Sequence, residues 1–269
     1  MKKINEMNKL DQQQIDHHKK HYQELLLGGP KKYDGFLNLN SIWYWMHVYC
    51  LEHINEFFKL IPPSYFLTVA DGYCGREAAY VKQFGHKVHA SDIETCLIEV
   101  GYEKGNVDEY SQQDINSLSF DDETFDYVLV KESLHHLSRP YNGLYEMMRV
   151  SKKGIIIIEP NGSGINYNNR KYEPSGNYCF TFTDDHLIKI GLAYGYTNFA
   201  ISYSSSFYGK HNIENIRNKD DSFEKDRLMK LDTVLKPHQK PLIISIFLKD
   251  SDILKKLSPK TFQKVIDYE

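Results

Sequence analysis

The stretch FLTVADGYCGREAAYVKQFGHKVHASDI, residues 66–93, constrains this chain more than any other. An apolar run passes through a glycine-containing turn into a helix, then into a second apolar run that ends at Asp92. That order is half of a nucleotide-binding α/β unit. Phe66 to Ala70 reads as a buried parallel strand bounded by Pro62-Pro63 and by Asp71-Gly72, so the turn lies at a strand's carboxyl end. Gly72 and Gly75 permit a tight backbone and close approach of a ligand, REAAYVKQ supplies the helix, and Gly85 ends it. Lys87 to Ser91 is the second strand, and Asp92 at its tip can accept both hydroxyl hydrogens of a ribose.

The remaining segments repeat the pattern. YSQQDINSLSF places Asp114 after a short polar strand, FDYVLV at 125–130 is a fourth strand followed at once by KESLHHL, and GIIIIEP at 154–160 is a nearly all-aliphatic fifth. Regular alternation of strand and helix implies a doubly wound sheet with helices on both faces.

With these segments in order, residues 64–203 plus a last strand at 241–248 resemble the class I S-adenosylmethionine-dependent methyltransferases. The similar features are the glycine turn, Asp92, Gln113-Asp114-Ile115, FDYVLVKESLHHL, Pro140, YEMMRVSKKGIIIIEP and the FTDDHLIKIGLAYGY helix. The resemblance implies a Rossmann-like sheet of seven strands and S-adenosylmethionine as cofactor, with S-adenosylhomocysteine as product. It assigns Asp71, Gly72, Gly75 and Arg76 to the turn facing the amino-acid part of the cofactor. It makes Asp92 the ribose ligand and Asp114 the acceptor for the adenine amino group, with Ile93 and Ile115 flanking the ring. Lys131 and Glu132 fall in the segment that closes over the methionine moiety. ADGYCG departs from the family pattern by one extra residue, and Thr68 or Val69 stands where many members carry an acid. Which N–H groups meet the cofactor carboxylate, and whether Asp71 binds its ammonium, stays open at this point.

A methyl transfer needs alignment, and a base where the acceptor starts protonated. His135, His136 and Glu159 all follow carboxyl strand ends and are the catalytic candidates, with packing and backbone hydrogen bonding as the alternative for the histidine pair. Glu132, His135, His136 and Glu159 lack a metal-ligand spacing, so no metal site is expected. Cys50, Cys74, Cys96 and Cys179 are scattered, which fits a reducing cytoplasm, and Cys74 reads as a small side chain beside a ligand.

The organisation implied is an N-terminal helical extension at 1–63, a cofactor-binding domain at 64–250 with insertions at 161–180 and 208–240, and a C-terminal helix at 251–269. Residues 11–26 are polar with few apolar anchors, whereas 37–60 is dense in Trp43, Tyr44, Trp45 and Tyr49 and is expected to form a lid, a docked helix or a homodimer contact. One helix is expected at Ser222 to Leu235. The long loop at 161–180 and the charged stretch at 208–240 are the expected acceptor-binding elements, the former closing with Trp43 and Trp45 over the donor. A net charge of −3 without a basic, aromatic-interleaved stripe speaks against nucleic acid, and no run approaches 18 apolar residues, so no membrane span is expected. The start, MKKINEMNKLDQQQIDHHKK, lacks the apolar run of a secretory signal. A small polar acceptor, with O-methylation of a sugar hydroxyl, is the leading reading. A nucleic-acid, lipid or aromatic acceptor, and a catalytically inactive cofactor-binding subunit, are the alternatives.

Overall fold

The computed structural model describes residues 9–163, 173, 175, 177, 180–206, 221–257, 262 and 264–268. Four helices come first: α1 (Lys9–Leu27), α2 (Pro30–Leu37), α3 (Ile42–Glu52) and α4 (Asn55–Leu60). They lead into β1 (Tyr65–Val69), α5 (Arg76–Lys82), β2 (Lys87–Asp92), α6 (Cys96–Glu103), β3 (Glu109–Gln112) and β4 (Phe125–Lys131). A single helical turn at Leu134–His136 precedes α7 (Pro140–Val150), β5 (Ser151–Pro160), α8 (Asp184–Ala193) and β6 (Asn198–Ser204). Last come α9 (Asp221–Val234), β7 (Leu242–Leu248), the one-turn α10 (Ser251–Leu254) and β8 (Lys264–Asp267).

The strands form one sheet in the order β3-β2-β1-β4-β5-β7-β6-β8. Strands β1 to β5 pair in parallel, and β7 runs antiparallel to both β5 and β6. Seven strands follow the expected doubly wound arrangement, and β8 extends it by pairing antiparallel with β6. The C-terminal segment therefore departs from the expected helix over 251–269. Its described residues hold one helical turn and an edge strand, where the β-branched Val265 and Ile266 pair with Ala200 and Phe199.

The aliphatic runs are explained by burial on two faces. Ile155 and Ile157 join Leu67, Val69, Val128 and Val130 in one core, while Ile156 and Ile158 join Phe57, Phe58, Phe66 and Tyr127 in the other. Side chains alternate across a strand, so a parallel strand covered by helices on both sides must be apolar at every position. Register then levels the carboxyl ends: Val69 pairs with Ser91 and with Val130, and Asp92 pairs with Gln112. The tips of β1 to β4 thus share one edge, where a site can be built.

The aromatic run lies on α3, which buries Tyr44, Met46, Val48 and Tyr49 within the chain. Trp45 donates its indole N–H to Glu52 at 2.7 Å and packs beside Leu228 and Leu231 of α9, while Trp43 packs against Phe36 and His47. These contacts supply the burial that the aromatic run demands and remove the argument for a subunit interface there. Helix α9 falls within a residue of its expected bounds. Most of the 161–180 loop and residues 207–220 lie outside the described residues.

Candidate active site

Above the levelled strand tips lies a cavity of about 220 Å³. Its floor takes Ala70, Asp92, Ile93, Asp114 and Ile115 from the ends of β1, β2 and β3. Lys131, Glu132, Ser133 and His136 enter from the end of β4. Asp92 is 5% exposed and accepts a hydrogen bond from the backbone N–H of Glu94 at 3.2 Å. Burial pushes its carboxyl up to about 7, against the pull of the Glu94, Gly72 and Ile93 backbone N–H groups. Asp114 is oriented by Asn116, whose backbone N–H and side-chain amide both donate to Oδ1, at 2.8 and 3.1 Å. Lys131 is buried and bridges Glu132 at 2.8 Å and Glu77 at 3.5 Å. Glu132 holds a left-handed backbone, φ 48°, as its N–H reaches the Ile158 carbonyl at 2.7 Å. A non-glycine residue in that conformation is strained, and such residues cluster at sites that over-determine them.

The first turn differs from its expected use. Asp71 lies outside the cavity, its carboxylate accepting from the Ala78 N–H at 2.8 Å, the Glu77 N–H at 3.2 Å and the Thr68 hydroxyl at 2.9 Å. It caps the start of α5 from within the core. Arg76 is also buried away from the cavity, paired with Glu77 at 2.6 Å. Gly75 takes a left-handed φ of 63° at the head of α5, where an added Cβ would come within 2.3 Å of Val107. At Gly72, a Cβ would meet the Tyr22 ring at 2.5 Å and Asp92 Oδ2 at 2.8 Å. Around this turn, Ala70 and Tyr73 face the cavity in place of these four residues. The Cys74 thiol is pushed up to about 12 by burial, so the thiol form prevails at neutral pH.

Of the histidine pair, His136 lines the cavity, while His135 and Glu159 stand behind it. Fully buried Glu159 accepts from the Ser133, Leu134 and His135 backbone N–H groups at 3.0, 2.8 and 3.4 Å. It also holds His135 Nδ1 at 2.7 Å. The carboxylate thereby ties the whole turn to the end of β5 and holds the His135 ring 3.9 Å from that of His136, the planes inclined at 42°.

Sequence reasoning missed the roof. Helix α1 closes the cavity with Asp11, Gln14, Ile15, His18 and Tyr22, a spacing that puts all five on one helix face. The available signal was Ile15 and Tyr22 in phase with those polar residues. Tyr73, the middle of the lengthened turn, hydrogen-bonds His21 at 3.2 Å and meets the Tyr22 ring edge-on at 5.2 Å. Asp11 pairs with Arg139 at 3.0 Å and accepts from the Ser138 hydroxyl, and Gln23 reaches Glu94 at 3.2 Å. Burial, and then His17, lowers the His18 imidazole below its ordinary 6.5. Neither tryptophan lines this cavity, so the roof is α1 and not the aromatic helix. Among the described residues, no helix is long and apolar enough to cross a membrane, and no group of three or more His, Cys, Asp or Glu side chains could hold a metal ion.

Residues 68–158, from β1 to β5, match the family model described as a methyltransferase domain. Two curated relatives match part of the chain. The demethylmenaquinone methyltransferase of Clavibacter sepedonicus is 34% identical over 90 residues, 32% of this chain and 37% of that protein. The ubiquinone/menaquinone biosynthesis C-methyltransferase UbiE of Idiomarina loihiensis is 32% identical over 104 residues, 35% of this chain and 41% of its own length. The shared stretch thus spans about two fifths of each relative. Among solved structures, an S-adenosylmethionine-dependent methyltransferase of Thermotoga maritima, described as a possible histamine N-methyltransferase, superposes with a TM-score of 0.52. That superposition covers 80% of this chain and 97% of the other at 17% identity, and it shows the fold. Over residues 68–158 the chain is similar to the methyltransferase domain family, and its fold is that of S-adenosylmethionine-dependent methyltransferases. The matched region supplies the cavity floor, and α1, which forms the roof, lies outside it.

Proposed function

We propose that this chain transfers a methyl group from S-adenosylmethionine to a small polar acceptor, with a hydroxyl of a sugar or nucleotide-linked sugar as the first candidate. The observation that carries the reading is the pair of carboxylates, Asp92 and Asp114, at neighbouring strand tips, each followed by an isoleucine that lines the cavity. A buried carboxyl such as Asp92 is costly to ionise, and the two hydroxyls of a ribose diol supply the donors that favour its charged form. Asp114 with Ile93 and Ile115 suits the amino group and faces of adenine, and Lys131 and Glu132 suit the amino-acid end. These residues therefore fit the cofactor, while Asp71, Gly72, Gly75 and Arg76 shape the turn beneath it. When bound, S-adenosylmethionine supplies an activated methyl group whose sulfur keeps the bonding electron pair. The protein's own part is to orient, to exclude water beneath α1, and to take up the acceptor proton.

The polar character of the roof, with Asp11, Gln14 and His18, supports a polar acceptor. Glu159 and His135 act as positioning residues for His136. The names of the curated relatives favour a second reading, methylation at carbon of a quinone-type ring.

Calorimetry with S-adenosylhomocysteine tests the donor site. Binding in the micromolar range or tighter is expected, and no binding at ~1 mM by folded protein would overturn the reading, since non-covalent affinity at that level is only about 4 kcal/mol. Labelled donor offered with separate pools of sugars, nucleotide sugars and quinols then distinguishes the acceptors. Transfer to quinols alone would replace the hydroxyl reading.

A further inference from the structure

We propose that His18, on the inner face of α1, is the group that takes the acceptor's proton, with His136 holding the same acceptor hydroxyl from the opposite side of the cavity. The inference rests on the methyl-transfer reading above and narrows its substrate class to a small molecule that presents a hydroxyl between two imidazoles.

The two rings line one cavity, with centroids 6.0 Å apart and planes inclined at 56°. One hydroxyl oxygen can lie within ordinary hydrogen-bond reach of a nitrogen on each ring. Their place along the roof is specific. Tyr22 sits over Gly72 beside Asp92, at the ribose end, and His18 lies one helical turn nearer the amino terminus. The Asp11–Arg139 pair lies two turns further along the same face. His18 is thus offset from the donor end toward the side where His136 enters.

The helix that carries His18 is fastened at both ends. Asp11 is tied to Arg139 and Ser138, while His21 and Gln23 are tied to Tyr73 and Glu94. His135, by contrast, is committed to Glu159 and stands behind the cavity wall. The charged and titratable groups around His18 are His17, His21, Tyr22 and Asp11 on its own helix, His136 and Arg139 across the cavity, Tyr73, Asp92 and Asp114 after β1, β2 and β3, and Lys131 and Glu132 at the end of β4. Burial, His17 and His21 lower the imidazole below its ordinary 6.5, so the neutral form, which can accept a proton, prevails at pH 7 although neighbouring Asn177 acts in the opposite direction.

The proton step balances simply. The hydroxyl hydrogen passes to an imidazole nitrogen of His18, the oxygen keeps the O–H electron pair for its new bond to carbon, and the imidazolium later releases the proton to water.

Three measurements test this on the full chain with H18N and H136N. Calorimetry with S-adenosylhomocysteine comes first, and all three proteins should bind within about threefold of one another. Failure of every protein to bind removes the underlying methyl-transfer reading and not this assignment alone. With that ligand bound, NMR titration of labelled histidines should place His18 below 6.5, and H136N should raise it by removing a neighbouring ring that resists a second positive charge. A His18 titration unmoved by H136N would show that the rings do not share the cavity and would end the proposal, whether or not an acceptor has been found. Turnover with labelled donor and pooled hydroxylated metabolites should then fall about 10²–10⁴-fold in H18N, with the acidic limb of the pH–rate profile lost. H136N should raise KM more than it lowers kcat. Full turnover with an unchanged profile in H18N, or a loss of kcat confined to H136N, overturns the assignment of the base.

Discussion

Asp92 carries two opposed demands that make it the most informative single residue. Its carboxyl is pushed up to about 7 by burial, whereas the diol it is proposed to bind needs the ionised form. A folded-state value raised above the unfolded one, ordinarily 3.8, means that the folded protein holds the proton more tightly. The stabilising contribution is complete below about pH 4 and is lost as pH rises through 7. Ligand-free D92N should therefore melt higher than the wild type at pH 8 and nearly level with it at pH 4, as scanning calorimetry can show. A wild type as stable as D92N at pH 8 would mean that Asp92 ionises without penalty. Donor binding should move the other way. Affinity for S-adenosylhomocysteine should strengthen between pH 6 and 8 in the wild type, and D92A should weaken it about tenfold to a hundredfold, because hydrogen bonds to a charged group are worth roughly 1.5–3 kcal/mol. Asp71 belongs to the opposite class of carboxylate. It is spent on the Thr68 hydroxyl and the first turn of α5, so D71A should cost stability on the scale of a lost helix cap, about 0.5–2 kcal/mol or more, as denaturant titration would measure.

At the scale of elements, α1 and the lengthened first turn act as one device. Tyr73, in the middle of the turn, receives His21 and Tyr22 of the roof helix. Because α1 roofs the cavity, donor entry is expected to displace α1 and product release to let it settle again. Cleavage at the exposed Leu27-Gly28 joint after α1 should slow when S-adenosylhomocysteine saturates the protein, and Y73A should speed cleavage and weaken binding together. Equal cleavage rates with and without ligand would leave α1 as a fixed wall. Tryptophan emission should respond little to the ligand, because Trp43 and Trp45 pack against α2 and α9 and do not line the cavity.

Across the whole molecule, the site lies over the β1, β2, β3 and β4 tips, while β8 forms the far edge of the sheet. Truncation after Leu257 should accordingly lower the melting temperature and leave affinity for S-adenosylhomocysteine within about twofold; loss of binding in a truncated protein that remains folded would reveal a long-range dependence absent from this architecture. The sheet itself was written into local pattern. Val128 to Val130 and Ile155 to Ile158 are apolar at every position because each strand is buried on two faces, and Asp92 and Asp114 were legible because each stands at the carboxyl end of a strand. The edge strand β8 was not legible, since Lys264–Asp267 is too short to show a period, and its state depends on the open edge of β6. Nor did the turn sequence reveal where Asp71 and Arg76 would point, because a one-residue insertion redirects side chains by an amount that only the neighbouring helix and core decide. By itself, then, the sequence determined the strand order's raw material and the carboxylates at the strand tips, which follow from periodicity and chain direction. Only the tertiary structure decided that the polar α1 roofs the cavity and brings His18 opposite His136, because that contact joins segments more than 100 residues apart and depends on packing, which no local pattern encodes.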